Sequence, residues 1–168
     1  MRKGFFISVP SVAVNKTLTP VIDCLANRYS IIYYNRADFA PPGEHAFCFR
    51  AYPPYQNGYS PDCLEGNPSL FGFGELLGET SESLIDFLLE EIEKEKPDFI
   101  IHSHIAMWGR LLARSCRLPA ICLYATIILD KRIMQPHYRK INTGGAAGLD
   151  GTRSAISFYR RIDRKSVV

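Results

Sequence analysis

The chain has 168 residues, 46% of them hydrophobic and 22% charged, which is enough apolar material for one domain with a packed core and too much for a disordered segment. Its apolar runs fall short of the ~18 residues a membrane-spanning helix needs, so no transmembrane segment is expected. The net charge of +3 conceals a split, because residues 131–168 carry nine Lys and Arg against two acids, a balance of +7 that leaves −4 on residues 1–130. Two differently built pieces are expected: a domain over 1–130 and a basic tail over 131–168.

The opening MRKGFFISVPSVAV imitates a secretory leader, but Pro10 stops the apolar run after six residues, below the ~7–15 of a leader's core. Residues 4–9 read as a first strand. From Asn15 onward Leu18, Val21, Ile22 and Leu25 recur at helical spacing, with Asn15 or Thr17 as N-cap and Pro20 in the first turn. Residues 30–35 (SIIYYN) are β-branched and aromatic, a second strand. A third is expected within 45–52 (HAFCFRAY), where Phe47, Phe49 and Ala51 alternate with Cys48 and Arg50. Residues 53–74 are rich in Pro, Gly, Tyr and Phe without periodicity, which suits a long functional loop. Leu84, Ile85, Leu88, Leu89 and Ile92 then mark a helix, supported by Glu90 and Lys94 at i,i+4.

Residues 95–124 form a complete strand, helix, strand unit. Residues 98–103 and 120–124 are short apolar runs opened by Pro97 and Pro119. Between them Trp108, Leu111, Leu112 and Cys116 share one side of a helix, and Arg110, Arg114 and Arg117 the other. Beyond residue 128 the pattern weakens. INTGGAAGLDG (141–151) lacks the Lys-Ser/Thr of a phosphate loop and reads as a linker. Residues 152–165 read as a short basic helix with Ile156, Phe158, Tyr159 and Ile162 as its apolar side.

Strands alternating with helices predict an α/β protein with a single doubly wound, Rossmann-like, mostly parallel sheet in the order 3-2-1-4-5. Ligands bind such sheets where the strand order reverses, beyond the carboxyl ends of the first and fourth strands. The loops 10–15 and 103–108 would meet there. PSVAVN contains no glycine, so it is no dinucleotide cradle. His102 and His104 stand two residues apart, but no carboxylate or cysteine cluster accompanies them to complete a tetrahedral set, and no metal site is expected. His104, at the mouth of the crevice, is the better functional candidate. The five cysteines are odd in number and form no C-x-x-C, which excludes a disulfide framework or zinc ribbon and favours a cytoplasmic location.

VNKTLTPVIDCLANRYSIIYYNRADF resembles the segment of bacterial macrolide-type UDP-glycosyltransferases that reads G-H-x-N-P-T-L before a helix, a strand and Y-Y. KPDFIIHSHIAMWGRLLARSCRLPAI resembles that family's K-P-D-x-I-I-x-D-S-x-x-x-W-G-x-x-x-A-x-x-x-x-x-P-A-I. The likeness runs over residues 3–130. It implies one half of a GT-B architecture: the N-terminal domain, which binds the acceptor, without the C-terminal domain that binds the sugar nucleotide. A UDP-sugar donor is then implied only for a C-terminal half, and no cofactor for this chain. The implied partners are a hydrophobic small-molecule acceptor and a donor-domain chain acting in trans, with no nucleic acid.

In that family the histidine of G-H-x-N is the general base and an aspartate ending the fourth strand orients it. Aligned on Asn15, the histidine position is Ala13. Aligned on Pro97, Trp108 and Gly109, the aspartate position is Ser103. Neither can accept a proton near neutral pH, so the resemblance implies a truncated transferase-like acceptor domain that is inactive alone. The alternatives are a split UDP-glycosyltransferase subunit using His104 as base, and a non-enzymatic interaction module with a basic tail. The substrate-binding candidates are Ser11, Ala13, Asn15, Ser103, His104 and Trp108, with aromatics of the 53–74 loop as a lid.

Overall fold

The computed structural model describes residues 1–55 and 70–125. The expectations for the middle of the long loop, the glycine-rich linker and the basic tail lie outside the described residues. In chain order the elements are β1 (Lys3–Ile7), α1 (Val12–Ala26), β2 (Ser30–Asn35), a 3-10 turn (Ala37–Phe39), β3 (Cys48–Ala51), α2 (Leu70–Glu95), β4 (Phe99–Ser103), α3 (Met107–Ser115) and β5 (Ala120–Leu123). The five strands form one parallel sheet in the order β3-β2-β1-β4-β5, as expected. Phe5 stands opposite Ile100, so β1 and β4 are neighbours, the adjacency that the expected crevice at their carboxyl ends requires.

The three central strands are buried on both faces, which is why they read as nearly continuous apolar runs. Alternation along them then sorts side chains to the two helical layers. Phe6 packs on Tyr33 with ring centroids 4.7 Å apart, on the face where Tyr33 also reaches Asn15 of α1. Phe5 packs on Tyr34 at 4.8 Å, and Tyr34 meets Phe87 of α2 edge-on. Leu84 and Leu88 of α2 are fully buried, each such side chain stabilising the fold by roughly 1.5–3 kcal/mol.

Three expectations for the helices need correction. α1 begins at Val12 with Ser11 as N-cap, whose hydroxyl accepts from the Val14 N–H at 3.4 Å, so neither Asn15 nor Thr17 caps it. Pro20 therefore lies inside the helix, where the missing N–H and ring clash cost ~3 kcal/mol in isolation. Burial of Val14, Leu18, Ile22 and Ala26 at i,i+4 steps offsets that, while Val21 is left 45% exposed. α2 begins at Leu70, so the last five residues assigned to the 53–74 loop are helical.

The carboxyl end of α2 is tied to the sheet by an ionic network. Arg50 of β3 donates to both Glu91 and Glu95, Tyr34 donates to Glu91 at 2.8 Å, and Lys3 of β1 donates to Glu95 at 2.9 Å. Hydrogen bonds from Lys3 and Arg50 hold the Glu95 carboxyl down at about 2. Burial pushes Glu91 up, but the bonds from Tyr34 and Arg50 outweigh it and leave it below the usual carboxylate range. Both carboxyls are thus depressed in the folded state relative to an unfolded value of about 4.3. Their contribution is complete above the unfolded value and is lost as pH falls toward the folded one. Thermal melts of the native chain and Arg50→Gln should therefore differ most near neutral pH and converge toward about pH 2. A gap that stays constant over that range would show that the network adds no pH-linked stability.

Candidate functional site

The crevice is flanked by two short connections. The first runs from β1 into α1. Ser8 is fully buried just past the strand, Ser11 turns the chain into the helix, and Ala13 is exposed on the first helical turn. Asn15, one turn further, points back to the sheet rather than outward. Its Oδ1 accepts from the Ser8 hydroxyl (3.2 Å), the Tyr33 hydroxyl (2.9 Å) and the Asn35 amide (3.2 Å). Asn35, itself fully buried at the end of β2, also donates to the Val9 carbonyl at 3.2 Å and the Tyr33 oxygen at 3.1 Å. Asn15 is therefore the hub of a polar cluster that fixes α1 against the carboxyl ends of β1 and β2.

The second connection runs from β4 into α3. The strand ends at Ser103, so the two-residue alternation no longer governs His104. His102 stays buried beneath α3, its Nδ1 3.0 Å from the Ser103 carbonyl, and burial lowers its pKa. The His104 backbone N–H donates to the Leu123 carbonyl of β5 at 2.9 Å, and its half-buried ring stacks on Tyr124 at 5.0 Å. Burial lowers its pKa too, so at neutral pH the ring is uncharged. Among the described residues no group of three His, Cys, Asp or Glu is placed to hold a metal ion.

Two candidate residues do not line an open wall. Ser103 is fully buried, its hydroxyl accepting from the Ala106 N–H at 3.3 Å, which closes the turn into α3. Trp108 is fully buried as well, so it cannot offer a face for a sugar or aglycone to stack on. Its indole N–H donates instead to the Tyr52 hydroxyl at 3.2 Å, and that hydroxyl donates to the Ser8 carbonyl at 3.0 Å. Sequence reasoning missed Ser8, Tyr33, Asn35 and Tyr52. A signal was present for the last three, since a polar tip on a buried strand end must find a partner.

The accessible part of the crevice rim is thus Ala13, the half-buried Ser11, Asn15 and His104. The shallow depression lined by Pro20, Asp23, Cys24, Asn27 and Ala46 lies on the outer side of α1, away from this rim. No helix among the described residues is long and apolar enough to cross a membrane.

Comparison with solved structures places this architecture. A calicheamicin glycosyltransferase matches with a TM-score of 0.73 at 16% identity over 100% of this chain and 43% of its own. The fold is that of one half of a glycosyltransferase. A glycotransferase of kitacinnamycin matches with a TM-score of 0.66 at 17% identity, over 99% of this chain and 41% of its own. The glycosyltransferase SsfS6 of Streptomyces sp. SF2575, complexed with thymidine diphosphate, matches with a TM-score of 0.60 at 16% identity, over 84% of this chain and 46% of its own. The chain therefore spans less than half the length of these proteins. No protein-family model matches it, and no curated protein does. At such identities the likeness establishes fold, and chemistry has to be argued from the residues.

Proposed function

We propose that the chain serves as the acceptor-binding half of a glycosyltransferase, receiving a hydrophobic, hydroxylated small molecule at the carboxyl ends of β1 and β4, and that alone it transfers no sugar. The observation that carries this reading is the crevice rim itself. In a glycosyltransferase-like sheet, the two positions where the resemblance places a base and its orienter hold a methyl group, Ala13, and a buried hydroxyl already engaged by the α3 turn, Ser103. In this reading the sheet supplies the scaffold for an acceptor and lacks the proton-abstracting pair. The donor in this reading is a nucleoside-diphosphate sugar. The resemblance favours a UDP-sugar, and the thymidine diphosphate held by one similar structure widens the class to its thymidine counterpart. A donor domain, in the same assembly or added in trans, would bind it.

A second reading rests on His104. Its uncharged, half-buried imidazole stands at the rim and can accept a proton from a bound hydroxyl, so a split enzyme with His104 as base is the alternative. The third, an interaction module acting through its basic tail, concerns residues beyond those described.

Binding comes first. Titrating the isotope-labelled chain with a planar flavonoid alcohol and with a macrolide aglycone should move the amide resonances of Ser11, Ala13, Asn15 and His104 before any others. Shifts confined to residues 131–168 would instead favour the interaction module.

A further inference from the structure

The two connections flanking the crevice come from separate halves of the sheet. One is organised by Asn15 and the Ser8 hydroxyl; the other is carried by α3, one turn after His104. Besides the β1–β4 pairing beneath them, a phenolic oxygen joins them. Tyr52, directly after β3, is 4% exposed, and its hydroxyl lies between β1 and α3: it donates to the Ser8 carbonyl (3.0 Å) and accepts from the Trp108 indole (3.2 Å). Ser8 passes the connection on, since its side chain donates to the Asn15 hub. The ring is fixed independently, lying 6.4 Å from Trp108 edge-on and 6.4 Å from Tyr34 nearly parallel. Burial raises the phenol pKa well above its ordinary value, so the proton needed for the bond to Ser8 stays on the oxygen.

We propose that Tyr52 is the positioning residue of the crevice, its hydroxyl setting the Ala13 rim and the His104 rim at a fixed separation and so determining which acceptors fit between them. This rests on the acceptor-binding reading only in its last clause. Deleting the oxygen leaves the indole N–H and the Ser8 carbonyl without the partner they share, and such groups reorganise to recover one. The Tyr52 ring would still fill its place in the core. A filler role predicts that Tyr52→Phe changes little, whereas a positioning role predicts that both rims move.

The test uses the full 168-residue chain, in which Trp108 is the sole tryptophan. Without any ligand, Tyr52→Phe should speed solvent exchange of the Trp108 indole proton by at least about tenfold, and should displace the amide resonances of both Asn15 and His104. Tyr34→Phe, which keeps the ring beside Tyr52 and removes only a hydroxyl directed at Glu91, should leave those resonances in place and serves as the control for general loosening. Unmoved resonances on either rim in Tyr52→Phe would overturn the proposal whatever the chain binds. In the ligand arm, naringenin and a macrolide aglycone are the probes. Tyr52→Phe should weaken or re-rank them by about tenfold while Tyr34→Phe matches the native chain; equal affinities in all three proteins would refute the selectivity clause. If neither probe binds the native chain, the acceptor reading and the selectivity clause fail together, and the ligand-free arm still decides whether Tyr52 positions the rims.

Discussion

Ala13→His combined with Ser103→Asp is expected to raise sugar transfer about 10²–10⁴-fold when a donor-binding domain is supplied in trans, the usual worth of general-base assistance. Ala13 is exposed on the first turn of α1, so an imidazole there meets no packed neighbour and should cost little stability. Ser103 is different. It has no exposed surface, and a carboxylate placed there alone would be a buried charge without a counter-charge. The single change Ser103→Asp should thus lower stability, and adding Ala13→His should recover part of the loss if the imidazolium reaches the carboxylate. Stability and turnover then report the same contact by two routes. The unmodified chain, assayed alone by nucleotide release coupled to detection of a glycosylated product, should stay at background, since it spans under half of the solved glycosyltransferases it resembles and holds Ala13 where the resemblance would place a base. Turnover by that chain, abolished in His104→Gln, would replace the leading reading with the His104 mechanism.

The sheet was legible because its information is local. GFFI, SIIYYN and FIIH are buried on both faces, and a strand of that kind must be apolar almost throughout, whatever else it touches. The order 3-2-1-4-5 followed from alternation with helices and from crossover handedness, neither of which needs a particular side chain. The helix starts were less legible. Val12, Ala13 and Val14 look like the continuation of a strand, and it is the bonds from the Val14 N–H to the Ser11 hydroxyl and from the Asn15 N–H to the Ser11 carbonyl that show the helix has begun. At the start of α2, Gly72 and Gly74 each lower helix propensity by about 1 kcal/mol, yet the helix runs through both because its later turns are anchored in the core. The site was legible by place and not by role. Topology brought residues 10–15 and 103–108 to one crevice, but whether Asn15 and Trp108 face a ligand or the interior depends on partners from other strands. Tyr33, Asn35 and Tyr52 supply those partners; their polar tips signal that a partner is needed, but no spacing within the chain says which one.

Two glycine replacements should move stability in opposite directions. Gly109 lies where α3 rests on the sheet, above the adjacent pair Ile7 and His102 of β1 and β4. A Cβ there would stand 2.6 Å from the His102 Cβ and 3.2 Å from the Ile7 Cγ2. The His102 Cβ is one bond from the backbone of a central strand and cannot swing aside, so the helix has to lift. Overpacking of this kind costs about 1–3 kcal/mol, and so deep an overlap belongs at the upper end. Alanine returns about 1 kcal/mol through its helix propensity, which leaves Gly109→Ala destabilising by about 2 kcal/mol and lowers Tm by roughly 4–8 °C for a domain of this size. Gly78, inside α2, is the counter-case. Nothing lies within 4 Å of its would-be Cβ, so Gly78→Ala meets only the propensity gain and should stabilise the chain by about 0.5–1 kcal/mol. Lifting α3 would also draw Trp108, the preceding residue, away from the Tyr52 hydroxyl. Gly109→Ala should therefore disturb the His104 rim and expose the indole while Gly78→Ala does neither. Calorimetric melts of the two variants decide the matter: a stabilised Gly109→Ala would mean that α3 does not sit this close to the sheet, and the connection from Trp108 through Tyr52 to Ser8 would lose its structural basis.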